Sequence, residues 1–302
     1  MSEQQKITIG TRGSDLALWQ AQFVKGQLEK LGCEVVINII KTRGDQIQHL
    51  SFEKMEGKGF FTKEIEDALL TKQVDLAIHS YKDLETADVP GLSIAAVSYR
   101  EDPTDSLIIK KEAVDNSQYL SLKTGAKVGT SSARRKAQLV GFRNDIELID
   151  LRGNVPTRID KLRQGDYDAI MLATAGLNRL NIDLSEFHVE QLDPKEFIPA
   201  PAQGVLGLQT RSSDSRIIDI VSKLNEPLVK EQIDIERKVL KIFSGGCQLP
   251  LGVYCEKEKD HFHVWGALGQ ENGYVSRAHF ITKTGSTASQ QMVDLLKKKA
   301  LT

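Results

Sequence analysis

The stretch GTSSARR, residues 129–135, sets three hydroxyls (Thr130, Ser131 and Ser132) ahead of two adjacent arginines, Arg134 and Arg135, where a helical pattern begins. The first turn of a helix carries the positive end of its dipole, so two guanidinium groups there are unfavourable by themselves. Backbone N–H groups, hydroxyls and planar guanidiniums together suit a carboxylate or a phosphate. Pairing with acidic groups elsewhere in the fold is the other way to neutralise them. Arg152 and Arg158 repeat the theme around Gly153-Asn154, where a strand gives way to a helix, and Arg12 does so beside Gly13 and Ser14. In open α/β sheets ligands gather at the carboxyl ends of strands, so several arginines there imply several anionic groups on one ligand. Any one of them alone is commonly a surface charge. His79-Ser80-Tyr81-Lys82-Asp83 follows the apolar run VDLAI, again at a strand end. Asp83 beside Lys82 is either half of a solvated ion pair or a carboxylate held to stabilise developing positive charge. Lys54 and Lys58 lie in a glycine-rich basic stretch without the spacing of a phosphate loop, which reads as a loop able to close over an anion. Cys247 stands in FSGGCQLPLG, after two glycines and ahead of a proline, where the backbone is permissive and a side chain is poorly shielded. That position suits a reactive or modified thiol and an incidental one alike.

Strand and helix patterns alternate through the segments that must hold these groups. KITIG reads as a strand and SDLALWQAQFVKGQLEKLG as a capped amphipathic helix ending at Gly32. EVVINIIKTRGD, VDLAIHS and LSIAAVSYR read as further strands, and KGFFTKEIEDALLTKQ as a helix. Around EDPTDSLIIKK the chain starts a second such series. AKVGT, DIELIDLR and YDAIMLATAG are strands, the last running into a turn, and SSARRKAQLVGF and NVPTRIDKLRQG are helices. FIPAPAQG marks a boundary or hinge before the strand GVLGLQTR, and two helical patterns follow it. The tail alternates strands and closes on a helix, a small α+β unit after two α/β units. No internal repeat is evident in the residues.

A chain of 302 residues, 40% hydrophobic and 27% charged, has the composition of a globular protein of two or three domains. Its formal net charge of -1 gives no global attraction to nucleic acid or anionic lipid, so no nucleic-acid or membrane partner is expected and anion binding must come from local clusters. The first residues hold no apolar run of signal-peptide length, and a cytoplasmic location is the expectation. Cys33, Cys247 and Cys255 are an odd number without a CxxC pair, and the six histidines show no ligand spacing, so neither a disulfide framework nor a metal is expected.

TRGSDLALWQ, TRGD, GKGFFTKE, AIHSYKDL, EDPTDSL, VGTSSARR, LRGNVPTR, AGLNRL, PAPAQG and GGCQLPLG occur in this order along the chain. Together they resemble the porphobilinogen deaminase (hydroxymethylbilane synthase) family. The resemblance implies two periplasmic-binding-protein-like α/β domains and a smaller α+β C-terminal domain. Residues 1–101 with 199–219 would form the first, 102–198 the second and 220–302 the third. It implies a transferase that condenses four porphobilinogen molecules, with loss of ammonia, onto a dipyrromethane primer and then releases linear hydroxymethylbilane by hydrolysis. It further implies that Cys247 carries that primer through a thioether and that Asp83 is catalytic, stabilising cationic intermediates. Cofactor binding falls to Ser80, Lys82, Asp83, Thr130, Ser131, Ser132, Arg134, Arg135, Arg152 and Gly153. Substrate binding falls to Arg12, Ser14, Arg152, Arg158, Arg179, Phe61 and Gln203, with Lys54 and Lys58 on the active-site loop. A monomer is expected.

Two departures stand out: Leu84-Glu85-Thr86-Ala87-Asp88 intervenes before Pro90, where the family commonly has a nearer proline, and Ala202 replaces a more common glycine, which would stiffen the hinge. The rival from another class is a two-domain anion-binding protein without chemistry, which would have no use for Cys247. A phosphoryl-transfer enzyme is disfavoured because no phosphate loop or metal-binding acidic pair is present.

Overall fold

A computed structural model describes residues 5–42, 62–244, 249–270 and 273–300. The chain opens with β1 (Lys6–Thr11), α1 (Asp15–Lys30), β2 (Glu34–Ile39), α2 (Lys63–Leu70), β3 (Leu76–Ser80) and β4 (Leu92–Val97). It continues with β5 (Asp105–Lys110), β6 (Lys127–Gly129), α3 (Ala133–Phe142), β7 (Glu147–Ile149), α4 (Val155–Gln164), β8 (Ala169–Ala173), α5 (Thr174–Leu180) and β9 (Phe187–Gln191). Then come β10 (Leu206–Arg211), α6 (Ser215–Val221), α7 (Pro227–Ile242), β11 (Leu251–Glu258), β12 (His261–Gly269), β13 (Val275–Thr282) and α8 (Gly285–Ala300).

Local chemistry accounts for the elements that matter to function. Ser14 caps α1, its hydroxyl accepting from the Ala17 N–H at 3.4 Å, and Gly32, at φ +84°, follows the helix end. Asn154 caps α4 by accepting from the Thr157 N–H at 3.0 Å, and Gly165, at φ +89°, ends it.

The chain divides into two compact units. The first draws on 5–42, 62–101 and 205–230, and the second on 102–204 and 231–300. In the first, five strands run β2-β1-β3-β10-β4; β1 is parallel to β2 and β3, and β10 is antiparallel to β3 and β4. In the second, β7-β6-β8-β5-β9 repeats that order and those directions, with β6 in the place of β1 and β5 in the place of β10. Each sheet is apolar on both faces, as parallel strands covered by helices must be. Ile7, Ile9 and Ile78 pack with Ala21, Val24 and Leu28 of α1, while Ala77 packs with Ile65 and Leu69 of α2 on the other side. Leu107 and Ile109 face Leu139 of α3, and Ile108 and Ile170 face Ile159 and Leu162 of α4.

The second unit also holds the antiparallel sheet β11-β12-β13. Its inner face packs on α7 and α8, and its Tyr254, Trp265 and Ala267 pack against Ile198 and Ala137. The architecture is thus two α/β folds of one topology and a smaller α+β fold, as the family resemblance implies.

Three elements depart from the sequence reading. DSLIIK is a strand, FHVEQ is an edge strand, and TAGLNRL is a short helix in place of a turn. Ala202 adopts φ +64°, a conformation in which glycine carries no steric penalty, which is the physical reason a glycine would be commoner there.

Candidate functional site

In the first unit, β1 and β3 are parallel neighbours, so their carboxyl ends emerge side by side. β1 leads to Arg12 and Ser14, both half-buried, and the Thr11 hydroxyl donates to the Ala17 carbonyl at 3.1 Å, tying the strand end to α1. β3 leads to Ser80 and a 3-10 turn over Tyr81–Asp83. The Ser80 hydroxyl accepts from Gln20 Nε2 of α1 at 2.8 Å, and the Tyr81 N–H donates to the Val205 carbonyl at 2.9 Å. The Tyr81 ring lies so close to Gly207 that a Cβ there would stand 2.9 Å from it. The root of the turn is therefore fixed, while Lys82 is half-buried and Asp83 is exposed at its tip. Behind it, His79 Nε2 donates to Gln209 Oε1 at 2.9 Å, since Gln209 Nε2 is itself the donor to Glu66 Oε1 at 3.1 Å.

In the second unit, the parallel strands β7, β6 and β8 bring their carboxyl ends together in the same way. Thr130 is buried, its N–H donating to the Ile149 carbonyl at 2.9 Å. The Ser131 hydroxyl donates to the Leu151 carbonyl at 2.9 Å and accepts from the Leu151 N–H at 3.0 Å. Ser132 caps α3, accepting from the Arg135 N–H at 3.4 Å. Arg134 and Arg135 are buried and turn toward Asp105, which is 0% exposed. Arg134 Nη1 reaches one carboxylate oxygen at 2.7 Å; Arg135 Nη2 and Nε reach the other at 2.6 and 3.1 Å. Burial would raise the pKa of Asp105, but the two guanidiniums outweigh it and hold the carboxyl well below the usual carboxylate range. Burial likewise lowers the pKa of Arg134, and Asp105 opposes that.

The helix start thus finds an anion within the chain itself, the alternative to a ligand that the residue pattern left open. Two guanidiniums on one carboxylate still leave the cluster cationic. Sequence reasoning passed over Asp105; the available signal was a lone acid at the head of the apolar run SLII.

Arg152 and Arg158 are half-buried at the start of α4. Burial lowers the pKa of Arg152, and the Asp150 carboxylate opposes it. Arg158 Nε donates to the Gly153 carbonyl at 2.7 Å. Gly153 lies at φ +117°, where a Cβ would also stand 2.7 Å from the Thr157 side chain, so glycine shapes this turn. Arg179 is buried and donates from Nη2 to the Gly204 carbonyl at 2.7 Å. Gln203 is 0% exposed, and its Nε2 faces the Pro103 and Thr104 carbonyls at 2.8 and 3.1 Å and Asp105 at 3.0 Å. The structure places it inside the Asp105 network. Cys247, Phe61, Lys54 and Lys58 lie outside the described residues. Cys33 and Cys255 are buried. Among the described residues no cluster of three or more His, Cys, Asp or Glu could hold a metal ion, and no helix is long and apolar enough to cross a membrane.

A family model described as "Porphobilinogen deaminase, dipyromethane cofactor binding domain" matches residues 7–219, and one described as "Porphobilinogen deaminase, C-terminal domain" matches residues 230–302. The chain is similar to the porphobilinogen deaminase of Nitratiruptor sp., 46% identical over 269 residues, covering 89% of this chain and 84% of that one. It is similar to that of Chlorobium luteolum as well, 40% identical over 290 residues, covering 95% of this chain and 91% of that one. Among solved structures, the periplasmic VFT2 domain of Bordetella pertussis BvgS aligns at 14% identity and a TM-score of 0.43, over 80% of this chain and 92% of that one. The family models span both α/β folds and the C-terminal sheet, and the relatives match nearly from end to end; the chain belongs to the porphobilinogen deaminase family.

Proposed function

We propose that the protein joins four porphobilinogen molecules head to tail, with loss of ammonia, onto a dipyrromethane primer carried by Cys247, and releases linear hydroxymethylbilane by hydrolysis. The observation that supports this most is the donor set at the carboxyl ends of β6 and β7. Thr130, Ser131, Ser132, Arg134, Arg135, Arg152 and Arg158 gather at two helix starts with Asp105 as the acid bonded to both buried arginines of α3. Such a cationic, hydroxyl-rich edge fits a group bearing several carboxylates.

Thr130, Ser131, Ser132, Arg134, Arg135, Arg152 and Gly153, with Ser80, Lys82 and Asp83, would hold the primer. When bound, the primer supplies the free pyrrole α-carbon to which the first unit is joined. Arg12, Ser14, Arg152, Arg158 and Arg179 grip the acetate and propionate of incoming porphobilinogen, Phe61 completes its contacts, and Lys54 and Lys58 close over it. Asp83 takes hydrogen bonds from substrate pyrrole N–H groups and stabilises the positive charge that develops as ammonia leaves. Its exposed place on a fixed turn supports that role. A non-catalytic anion binder would use the arginines but leaves Asp83 and Cys247 without a task.

The same reading has the protein act as a monomer in the cytoplasm, with no nucleic-acid or membrane partner. It keeps a three-domain division at 1–101 with 199–219, 102–198 and 220–302. The test is a brief incubation with porphobilinogen followed by intact-mass measurement. The protein mass is expected to climb in steps of one pyrrole unit while free linear tetrapyrrole accumulates. Product formation at constant protein mass would contradict covalent priming.

A further inference from the structure

We propose that Asp105 is a positioning residue for the cofactor-binding arginines: it fixes how the guanidiniums of Arg134 and Arg135 are turned. This rests on the reading above that those arginines hold carboxylates of the bound pyrroles.

Each guanidinium is held from two directions. Arg134 Nη1 bonds both Asp105, at 2.7 Å, and the Ile198 carbonyl, at 2.9 Å. Arg135 bonds Asp105 through Nε and Nη2 and the Met171 carbonyl through Nη1 at 3.0 Å. Arg135, bonded through all three of its nitrogens, has little freedom left to rotate, and Arg134 is held by two acceptors on one nitrogen; such support from neighbouring groups is what makes a binding group precise. The charge count suits the task. Without an acid, two adjacent buried guanidiniums would repel each other and be drawn toward water; with two acids, the edge would lose its attraction for a carboxylate. One acid between two arginines keeps them in place and keeps the edge cationic.

The same node reaches the strand that follows the cofactor cysteine. Ile198, which accepts from Arg134, is clamped by Gln138 through bonds of 2.9 and 2.8 Å. The next residue, Pro199, accepts from the Val253 N–H of β11 at 3.0 Å. A Cβ on Gly252 would stand 2.4 Å from the Ile198 carbonyl oxygen, so β11 runs directly against this segment. Asp105 thereby sets the arginines against the same backbone that anchors β11, whose first residue, Leu251, is four positions after Cys247.

The test compares wild type with Asp105→Glu, which keeps the charge but lengthens the side chain by one methylene. The purified proteins are measured for intact mass, thermal midpoint, KM and kcat. A displacement of about 1 Å in a positioning group is expected to lower kcat/KM by about a hundredfold and to leave much of the protein without primer, in a chain that still unfolds cooperatively. A second variant, Asp105→Asn combined with Arg135→Gln, keeps the excess of one positive charge and guards against loss of folding. It is expected to fold and to carry no primer. Full primer mass and wild-type KM in a folded Asp105→Glu protein, with only the midpoint lowered, would mean a merely structural acid and overturn the proposal. A wild-type protein of bare polypeptide mass that makes no product would instead overturn the functional reading and this proposal with it.

Discussion

Asp83 stands at the tip of a turn whose base is tied to Val205 and packed on Gly207, so its replacement touches little else. Asp83→Asn removes the charge at constant shape. It is expected to fold, retain the primer mass and lower turnover by about 10²–10³-fold, the scale at which losing one preorganised electrostatic group is felt. Single-turnover kinetics would check this, and near-normal rates would remove Asp83 from the mechanism. Asp105 makes a prediction of different sign structure. Its folded pKa lies below the unfolded value near 3.8, so its stabilisation is complete above that value and fades as pH falls beneath it. The stability gap between wild type and Asp105→Asn should therefore be steady from pH 7 to about 5, on the order of 3–5 kcal/mol for a broken buried pair, and close on further acidification. Denaturant titrations at stepped pH would measure it; a gap that widened in acid would contradict the assignment. At this scale the strand-end placement of Arg12, Arg152 and Asp83 could be read from the sequence, because charge beside an apolar run is conspicuous. Asp105 and the buried place of Gln203 were not, since their meaning depends on which way Arg134 and Arg135 turn, and that is settled by packing between residues 29 or more positions apart.

Among the elements, two glycines carry the geometry. Gly153→Ala would put a side chain at φ +117° and into Thr157. The expected cost is at least about 1–2 kcal/mol, with weaker carboxylate binding as Arg152 and Arg158 lose their turn. Gly252→Ala would press a methyl group on the Ile198 carbonyl oxygen, a backbone atom that cannot swing aside. It is expected to destabilise by about 1–3 kcal/mol, read as a lower urea midpoint at unchanged slope; an unchanged midpoint would mean that β11 is free to shift. Most strands and helices could be read from periodicity and capping residues, as with the Ser14 cap of α1. The exceptions have local causes. DSLIIK follows a run of polar and proline residues, FHVEQ is a five-residue edge strand with Val189 40% exposed, and TAGLNRL places glycine and asparagine inside a single short helix without a side-chain cap.

At the scale of the molecule, two five-stranded sheets of the same order and directions recur in a chain whose residues show no repeat. Topology of this kind is held by the alternation of buried strands and covering helices, which many sequences satisfy, so the duplication is visible only in the fold. It gives each unit a row of parallel strand ends on which to mount arginines, hydroxyls and, in one case, Asp83. A near-neutral chain can in this way bind a polyanion, because a local cluster of arginines at strand ends supplies the attraction that its net charge of -1 does not. The central claim is that the protein carries its own two-pyrrole primer on Cys247. Intact-mass measurement of the purified wild type beside Cys247→Ser tests it most directly. The account predicts the polypeptide mass plus two pyrrole units for the wild type and the bare polypeptide for the variant; the same mass increment on both, or on neither, would contradict it.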